Sequence, residues 1–215
     1  MTILALDTTS EFGSVAIREG HQTVSEITLY SREGFAHLIF GAIEQALQQA
    51  AVRLVEVDCF AAASGPGSFT GVRVGLSAVK GMAEALGKPA VGISNLKALG
   101  SFGNLARRAV ALDARRGQIY GAVYDAGLEP IEPETVLKLE DWLEMLKGEE
   151  YEVISGLPQE AFAGTRLAAM PFRKAPTSLA AAVAACAERV TWQDPAALDA
   201  NYVRRSDAEL FWKEA

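Results

Sequence analysis

Cysteine and histidine are scarce in this sequence: two of each, Cys59 and Cys186, His21 and His37. Two cysteines in 215 residues cannot build a disulfide scaffold. Both lie in apolar runs, VDCFAAA and LAAAVAACAERV, and read as buried reduced thiols that pack as small hydrophobes. Histidine scarcity argues against a metal centre, because His37-Leu38-Ile39-Phe40-Gly41 offers no second imidazole one helical turn along. A serine triad would need one of these two histidines to arrive from elsewhere, and no G-x-S-x-G elbow frames Ser64 or Ser68. Long apolar runs are also missing. The longest, Leu179 to Ala187, falls well short of the roughly 18 residues that span a bilayer. The start, MTILALDTTSEF, has no basic segment and meets an acid at Asp7, so a secretory signal is not expected and the cytoplasm is the expected location. Basic residues are outnumbered, 20 against 27 acidic, for a formal charge of −7. Such a chain is a poor nucleic-acid binder on its own, since phosphate neutralisation dominates that affinity.

What is present is a soluble globular composition, half hydrophobic and 22% charged. The length suits one large domain or two small lobes. Ile3 to Asp7, Ser14 to Ile17 and Val24 to Tyr30 read as an antiparallel meander with tight turns. A helix is expected from about Phe35, with apolar residues at Phe35, Leu38, Ile39, Ala42, Ile43, Ala46, Leu47 and Ala50. A buried strand (Val57 to Ala63), the turn SGPGSFTG, a helix (Val72 to Leu86) and a strand (Ala90 to Ile93) then favour parallel crossovers. Ile3-Leu4-Ala5-Leu6-Asp7 is echoed by Ala109-Val110-Ala111-Leu112-Asp113, and each is followed by a polar turn and a glycine-containing strand. The echo predicts duplicated lobes. The boundary is placed in the Gly/Asn-containing stretch Ser101 to Ala106, giving lobes 1–103 and 104–215, with the last helix packing back on the first lobe. In the second lobe, strands are expected at Thr135 to Leu139, Glu152 to Ile154 and Arg166 to Ala169. Helices are expected at Leu139 to Lys147 and Leu179 to Val190, and an apolar tail from Tyr202 to Trp212 is expected to pack on the body.

Candidate chemistry gathers at the strand ends. The turn holding Gly65, Gly67 and Gly71 is either an anion cradle before a helix or a tight strand-to-helix turn. It is no P-loop, because Val72-Arg73 follows Gly71 where Lys and Ser or Thr would be needed. Asp7 with Thr8 and Thr9 could position a metal or a phosphate, or simply cap a turn. Asp113 is the second copy, followed by Ala114-Arg115-Arg116, whose bulk would crowd a backbone cradle. On the second helix, Arg73, Ser77, Lys80 and Glu84 form a narrow polar stripe in an otherwise small or apolar surface. A helix apolar on most of its circumference is buried on several sides. Gly75, Ala78 and Gly81 would admit a neighbouring backbone, and with Phe40 they mark a surface that meets another protein.

The segments ILALDTTSEFGSVAI, ASGPGSFTGVRVG, ALDARRGQIYGAVY and NYVRRSDAE, spread along the whole chain, resemble the TsaB (YeaZ) family. The resemblance implies an α/β, two-lobed actin-like/Hsp70-like (ASKHA, RNase H-like) ATPase fold with duplicated lobes. It implies a non-catalytic scaffold and activator of a TsaD-type threonylcarbamoyl transferase, which makes threonylcarbamoyladenosine next to the anticodon of tRNAs reading codons that start with A. The implied partners are a TsaD-like catalytic protein, a TsaE-like ATPase and, for the free protein, a second copy, with tRNA met only through the complex. No cofactor and no catalytic residue are expected. A partner interface is expected at His37, Phe40, Gly41, Arg73, Leu76, Ser77, Ala78, Lys80 and Gly81, and a vestigial nucleotide cleft at Asp7, Thr8, Thr9, Gly65, Gly67 and Asp113. The alternative is an ASKHA-type ATPase or small-molecule kinase acting alone. Three arginine pairs, Arg107-Arg108, Arg115-Arg116 and Arg204-Arg205, either guide tRNA within a complex or solvate the surface. Ala78→Glu or Gly81→Glu is expected to abolish partner binding in a chain that stays folded.

Overall fold

The computed structural model describes residues 1–146 and 150–204. Three antiparallel strands, β1 (Thr2–Asp7), β2 (Phe12–Glu19) and β3 (Gln22–Tyr30), form the expected meander. The first sheet is completed by β4 (Cys59–Gly65) and β5 (Ala90–Ser94), each parallel to its inner neighbour, in the order β3-β2-β1-β4-β5. The second sheet contains β6 (Arg107–Asp113), β7 (Gln118–Asp125), β8 (Pro130–Lys138), β9 (Glu152–Ser155) and β10 (Phe172–Lys174), ordered β8-β7-β6-β9-β10. From meander edge to parallel edge the two sheets have one topology, and the echoed segments Ile3–Asp7 and Ala109–Asp113 hold the same central place in each. Every residue of β1 and β4 is buried, as befits strands covered on both faces.

Helices α1 (Ile39–Ala50) and α2 (Phe69–Leu86) cover the outer face of the first sheet, where Leu4, Leu6, Phe60, Ile39, Ile43, Val72 and Val79 share one core. The short α4 (Leu139–Met145) buries Trp142 on the outer face of the second sheet. Between the sheets lie α3 (Asn95–Gly100) and α5 (Ala180–Ala187), which share a third core with Ile3, Ala61, Val110 and Ile154. These two helices exchange places: α3, which follows the first sheet, packs on β6 and β7, while α5, which follows the second, packs on β1 and β2. Alanine, valine and cysteine around the whole of α5 make a thin helix that is apolar on all sides, the kind that fits between two layers. Its N-terminus lacks a cap of its own. Instead Ser14 Oγ, buried on β2, accepts from the amides of Leu179 (3.3 Å) and Ala180 (3.0 Å).

Several elements differ from expectation. The first helix begins at Ile39, because Phe35 enters the core above Gly13 and its carbonyl takes the amides of Leu38 and Ile39 in a turn. Arg166–Ala169 is a 3-10 turn, not a strand: Thr165 Oγ1 accepts from Leu167 N at 3.2 Å, and such local capping competes with extended pairing. Strand pairing resumes at β10, which lies parallel to β9. Helix α3 was not anticipated; Ser94 caps it by accepting from Leu96 N (3.1 Å) and Lys97 N (3.4 Å). The expected helix end at Lys147, Arg205 and the apolar tail at Leu210, Phe211 and Trp212 lie outside the described residues. The connection between α3 and β6 is held at both sides. Glu152 accepts from Asn104 N (2.5 Å) and Leu105 N (3.0 Å), and buried Arg108 donates to Leu105 O and Gly100 O.

Ser14→Ala orphans two helix-terminal amides in a dry core and should cost about 1–2 kcal/mol, at the upper end for cap removal. Urea unfolding of the variant and parent measures the difference.

Candidate functional site

The carboxyl ends of β1 and β6 face a cleft of about 860 Å³ between the sheets. Asp7, Thr8, Thr9, Gly67 and Asp113 line it together. Gly65 stands behind this wall, buried at φ +105°, with its amide donating to Asn95 Oδ1 at 3.1 Å.

The glycine-rich turn is filled by the chain itself. A Cβ on Gly71 would lie 2.0 Å from Thr8 O, one on Gly67 would lie 2.6 Å from Thr9 O, and one on Gly75 would lie 2.7 Å from Thr8 Oγ1. The glycines therefore let the Thr8-Thr9 turn press onto the start of α2. Thr8 Oγ1 donates to Gly71 O at 2.7 Å, and Ser68 N donates to Thr9 O at 2.7 Å. Ser68 also caps α2, accepting from Gly71 N at 3.2 Å. Of the two readings of this turn, the structure has the strand-to-helix turn.

Asp7 is a structural acid in this geometry. Its Oδ1 accepts from Thr9 N (2.9 Å) and Thr9 Oγ1 (2.6 Å), and Asn95 Nδ2 donates to the same threonine oxygen at 2.5 Å. Burial raises the Asp7 pKa above the ordinary carboxylate value, against the opposing pull of the Thr9 hydrogen bonds. The second turn is different in kind. Arg115 and Arg116 both take positive φ, 63° and 55°, a left-handed conformation that glycine adopts more readily. The Arg115 amide donates to Asp113 Oδ1 at 2.7 Å, and the Ala114 amide donates to Gln118 O. The amides of Thr9, Ser68, Gly71, Ala114 and Arg115 are thus all engaged within the chain. Among the described residues no group of three or more histidine, cysteine, aspartate and glutamate side chains is placed to hold a metal ion.

The outer helices carry a second feature. An apolar groove of about 580 Å³ runs beside the end of α1, lined by Phe40, Ile43, Leu47, Val52, Leu54 and Met82. Phe40 is 59% exposed over it. His37, Gly41, Arg73, Ser77 and Gly81 are exposed on the same helices and Lys80 is half-buried. Leu76 and Ala78 are not available there: at 6% and 7% exposure they pack in the core beneath, because α2 turns that side to the sheet. Of the small residues expected to admit a partner backbone, Gly75 faces Thr8 and only Gly81 opens to solvent. Sequence reasoning missed Phe69 and Tyr202. They stack with centroids 5.7 Å apart, with the Arg73 guanidinium 3.8 Å from the Phe69 ring centre and its Nε donating to Tyr202 Oη at 3.1 Å. The exposed phenylalanine inside SGPGSFTG was the available signal. Arg108 is buried as a linker clamp and Arg204 donates to Gln118 Oε1, so each serves an internal contact.

Two substitutions report on the cleft turn. Gly71→Ala should destabilise by about 3 kcal/mol or prevent folding, because its methyl would overlap the Thr8 carbonyl and neither backbone can yield. Asp7→Asn should keep the fold. A folded-state pKa raised above the unfolded value gives a stability term that is full below the unfolded pKa and is lost as pH rises through the folded pKa. The Asn variant lacks that loss, so its melting temperature should exceed the parent's at pH 7 and the gap should close toward pH 3.

The family model described as "TsaD: tRNA N6-adenosine threonylcarbamoyltransferase" matches residues 29–204. The TsaB protein of Bacillus subtilis, a tRNA threonylcarbamoyladenosine biosynthesis protein, is 31% identical over 159 residues, covering 72% of this chain and 69% of that one. The structure of YeaZ from Pseudomonas aeruginosa superposes with a TM-score of 0.76 at 23% identity, covering 93% of this chain and 99% of that chain. The ROK hexokinase from Thermus thermophilus shares the fold at a TM-score of 0.54 and 14% identity, over 88% of this chain and all of that one. The molecule therefore has the two-lobed actin-like ATPase fold, with α/β lobes built on duplicated sheets. A nucleoside triphosphate, the ligand this fold implies, does not fit the donor set here, because both cleft turns spend their amides internally and the glycine cradle holds Thr8 and Thr9. By the match to its family model and by its likeness to its relatives along most of its length, the chain belongs to the TsaB (YeaZ) family, within the broader TsaD family.

Proposed function

We propose that this chain serves tRNA threonylcarbamoyladenosine biosynthesis as a non-catalytic scaffold and activator of a TsaD-type threonylcarbamoyl transferase. The observation that carries the reading is the filled cleft: an ATPase fold in which the turns that would cradle phosphate are occupied by the protein's own threonines and arginines. A lobe that has given up its nucleotide still has its outer helices, and these present Phe40 over an apolar groove with His37, Gly41, Arg73, Ser77, Lys80 and Gly81 around it. Aromatic and arginine side chains are the residue types that anchor protein interfaces. The TsaD-like protein docks there, and a TsaE-like ATPase joins the assembly. The same face pairs two copies when no partner is present, and tRNA is met only through the complex. No helix among the described residues is long and apolar enough to cross a membrane, which agrees with work on a cytoplasmic tRNA. An independent ATPase or kinase would be revealed by ATP turnover in the isolated chain.

The test is light scattering after size exclusion, on the chain alone and mixed with its TsaD-like partner. A new species at the summed mass is expected. No complex, even with nucleotide and the TsaE-like ATPase present, would overturn the scaffold reading. Gly81→Glu and Gly41→Arg add side chains where nothing lies within 4 Å, and each replaces a helix glycine with a better helix former. Both should keep the parent's melting temperature and lose the complex. Ala78→Glu cannot serve, because a charge at that buried position would damage the core.

A further inference from the structure

Three separate parts of the chain meet on one carboxylate. Glu134, half-buried on β8, accepts from the Ser94 hydroxyl, from Tyr124 Oη at 2.6 Å and from Asn201 Nδ2 at 2.6 Å. Ser94 ends the first sheet and caps α3, Tyr124 belongs to the second sheet, and Asn201 follows α5. The segment that holds Asn201 is fixed along its length. Gln193 exchanges backbone hydrogen bonds with Ala90 at 2.9 and 3.0 Å, and Leu198 is buried in the core of the first lobe. Asn201 N donates to Ser64 O at 2.7 Å. One residue on, Tyr202 takes the Arg73 hydrogen bond and stacks on Phe69, and Arg204 then reaches Gln118 at 2.6 Å beside the Tyr120 ring.

We propose that residues 193–204 form an interlobe strap latched by Glu134, through which the second lobe positions the first turn of α2 and holds Arg73 on the partner face. The partner half of this inference rests on the scaffold reading; the latch does not. Glu134 and Asn201 act as positioning residues. Glu134 fixes Asn201, Asn201 sets where Tyr202 lies, and Tyr202 orients Arg73 and covers Phe69. A carboxylate that satisfies three neutral donors from both lobes couples them more strongly than any one of those bonds, since cutting it leaves all three donors without their acceptor. The strap also gives the second lobe a task in a protein whose cleft holds no fitting nucleotide site: it keeps a docking helix in place.

Hydrogen–deuterium exchange of the full chain tests the latch, comparing the parent with Asn201→Ala, Glu134→Ala and the double variant. Peptides spanning 66–73 and 199–204 should exchange about tenfold faster in each single variant while β1 and β4 stay protected, and the double variant should be no looser than Glu134→Ala alone. Unchanged exchange at 66–73, or equal acceleration through both sheets, would overturn the latch. Should Glu134→Ala fail to fold, Asn201→Ala, which removes one donor only, decides the same point. Affinity for the TsaD-like partner should fall about tenfold with Asn201→Ala, in step with the loosened first turn. Gly81→Glu should lose binding with no change in exchange. Loosened exchange with full affinity would overturn the positioning role. A parent chain that binds no partner would remove the scaffold reading while the exchange data still decide the latch.

Discussion

The contact on which much of this molecule depends is the one between the Thr8-Thr9 turn and the first turns of α2. Three glycines, Gly67, Gly71 and Gly75, bring a helix so near a strand end that no side chain fits between. That approach sets the angle of α2 across the first sheet and therefore which of its faces is buried. It also closes the nucleotide end of the cleft, because the space a phosphate would take holds Thr8 and Thr9. One steric arrangement thus serves both the stability of the first lobe and its loss of nucleotide chemistry.

The central layer obeys a similar economy of space. With sheets on both sides, α3 and α5 must be narrow, and α5 achieves this with alanine, valine and cysteine alone. Burial pushes the Cys59 thiol up to about 12 and raises that of Cys186, so both cysteines serve as inert packing atoms there. Such a helix offers no polar group to end itself, and the missing cap comes from Ser14 on a strand far away in sequence. The exchange of α3 and α5 between lobes means that neither sheet is covered by its own segment of chain alone. Together with the Glu134 hydrogen bonds, this makes the pair of lobes a single packed body around a cleft.

Function follows from which surfaces remain. The cleft has its turn amides engaged, and among the described residues no metal cluster stands in it. The outer face of α1 and α2 keeps exposed Phe40 above an apolar groove, and the aromatic and arginine cluster of Phe69, Arg73 and Tyr202 at its edge. A protein with its interior closed and an apolar, aromatic exterior is built to bind another protein, which is how membership of a tRNA-modification family is best read for this chain.

The sequence by itself determined the meander, the parallel crossovers and the duplication, because alternating and continuous apolar runs are local signals that period and length reveal. The echo of Ile3–Asp7 in Ala109–Asp113 even located the equivalent central strands. Asp7, Thr8, Thr9, Gly67 and Asp113 were legible as one cleft wall for the same reason: each ends or follows one of those strands. Tertiary structure alone decided what they do there. A glycine that admits phosphate and a glycine that admits a threonine carbonyl look identical along the chain, and only the 2.0 Å approach at Gly71 distinguishes them. The buried faces of Leu76 and Ala78, the 3-10 turn at Arg166–Ala169, the borrowed cap from Ser14 and the meeting of Ser94, Tyr124 and Asn201 on Glu134 depend on partners distant in sequence. Periodicity reports which residues share a helix face. Which face turns to the sheet, and which distant side chain satisfies a buried polar group, is set by packing in three dimensions.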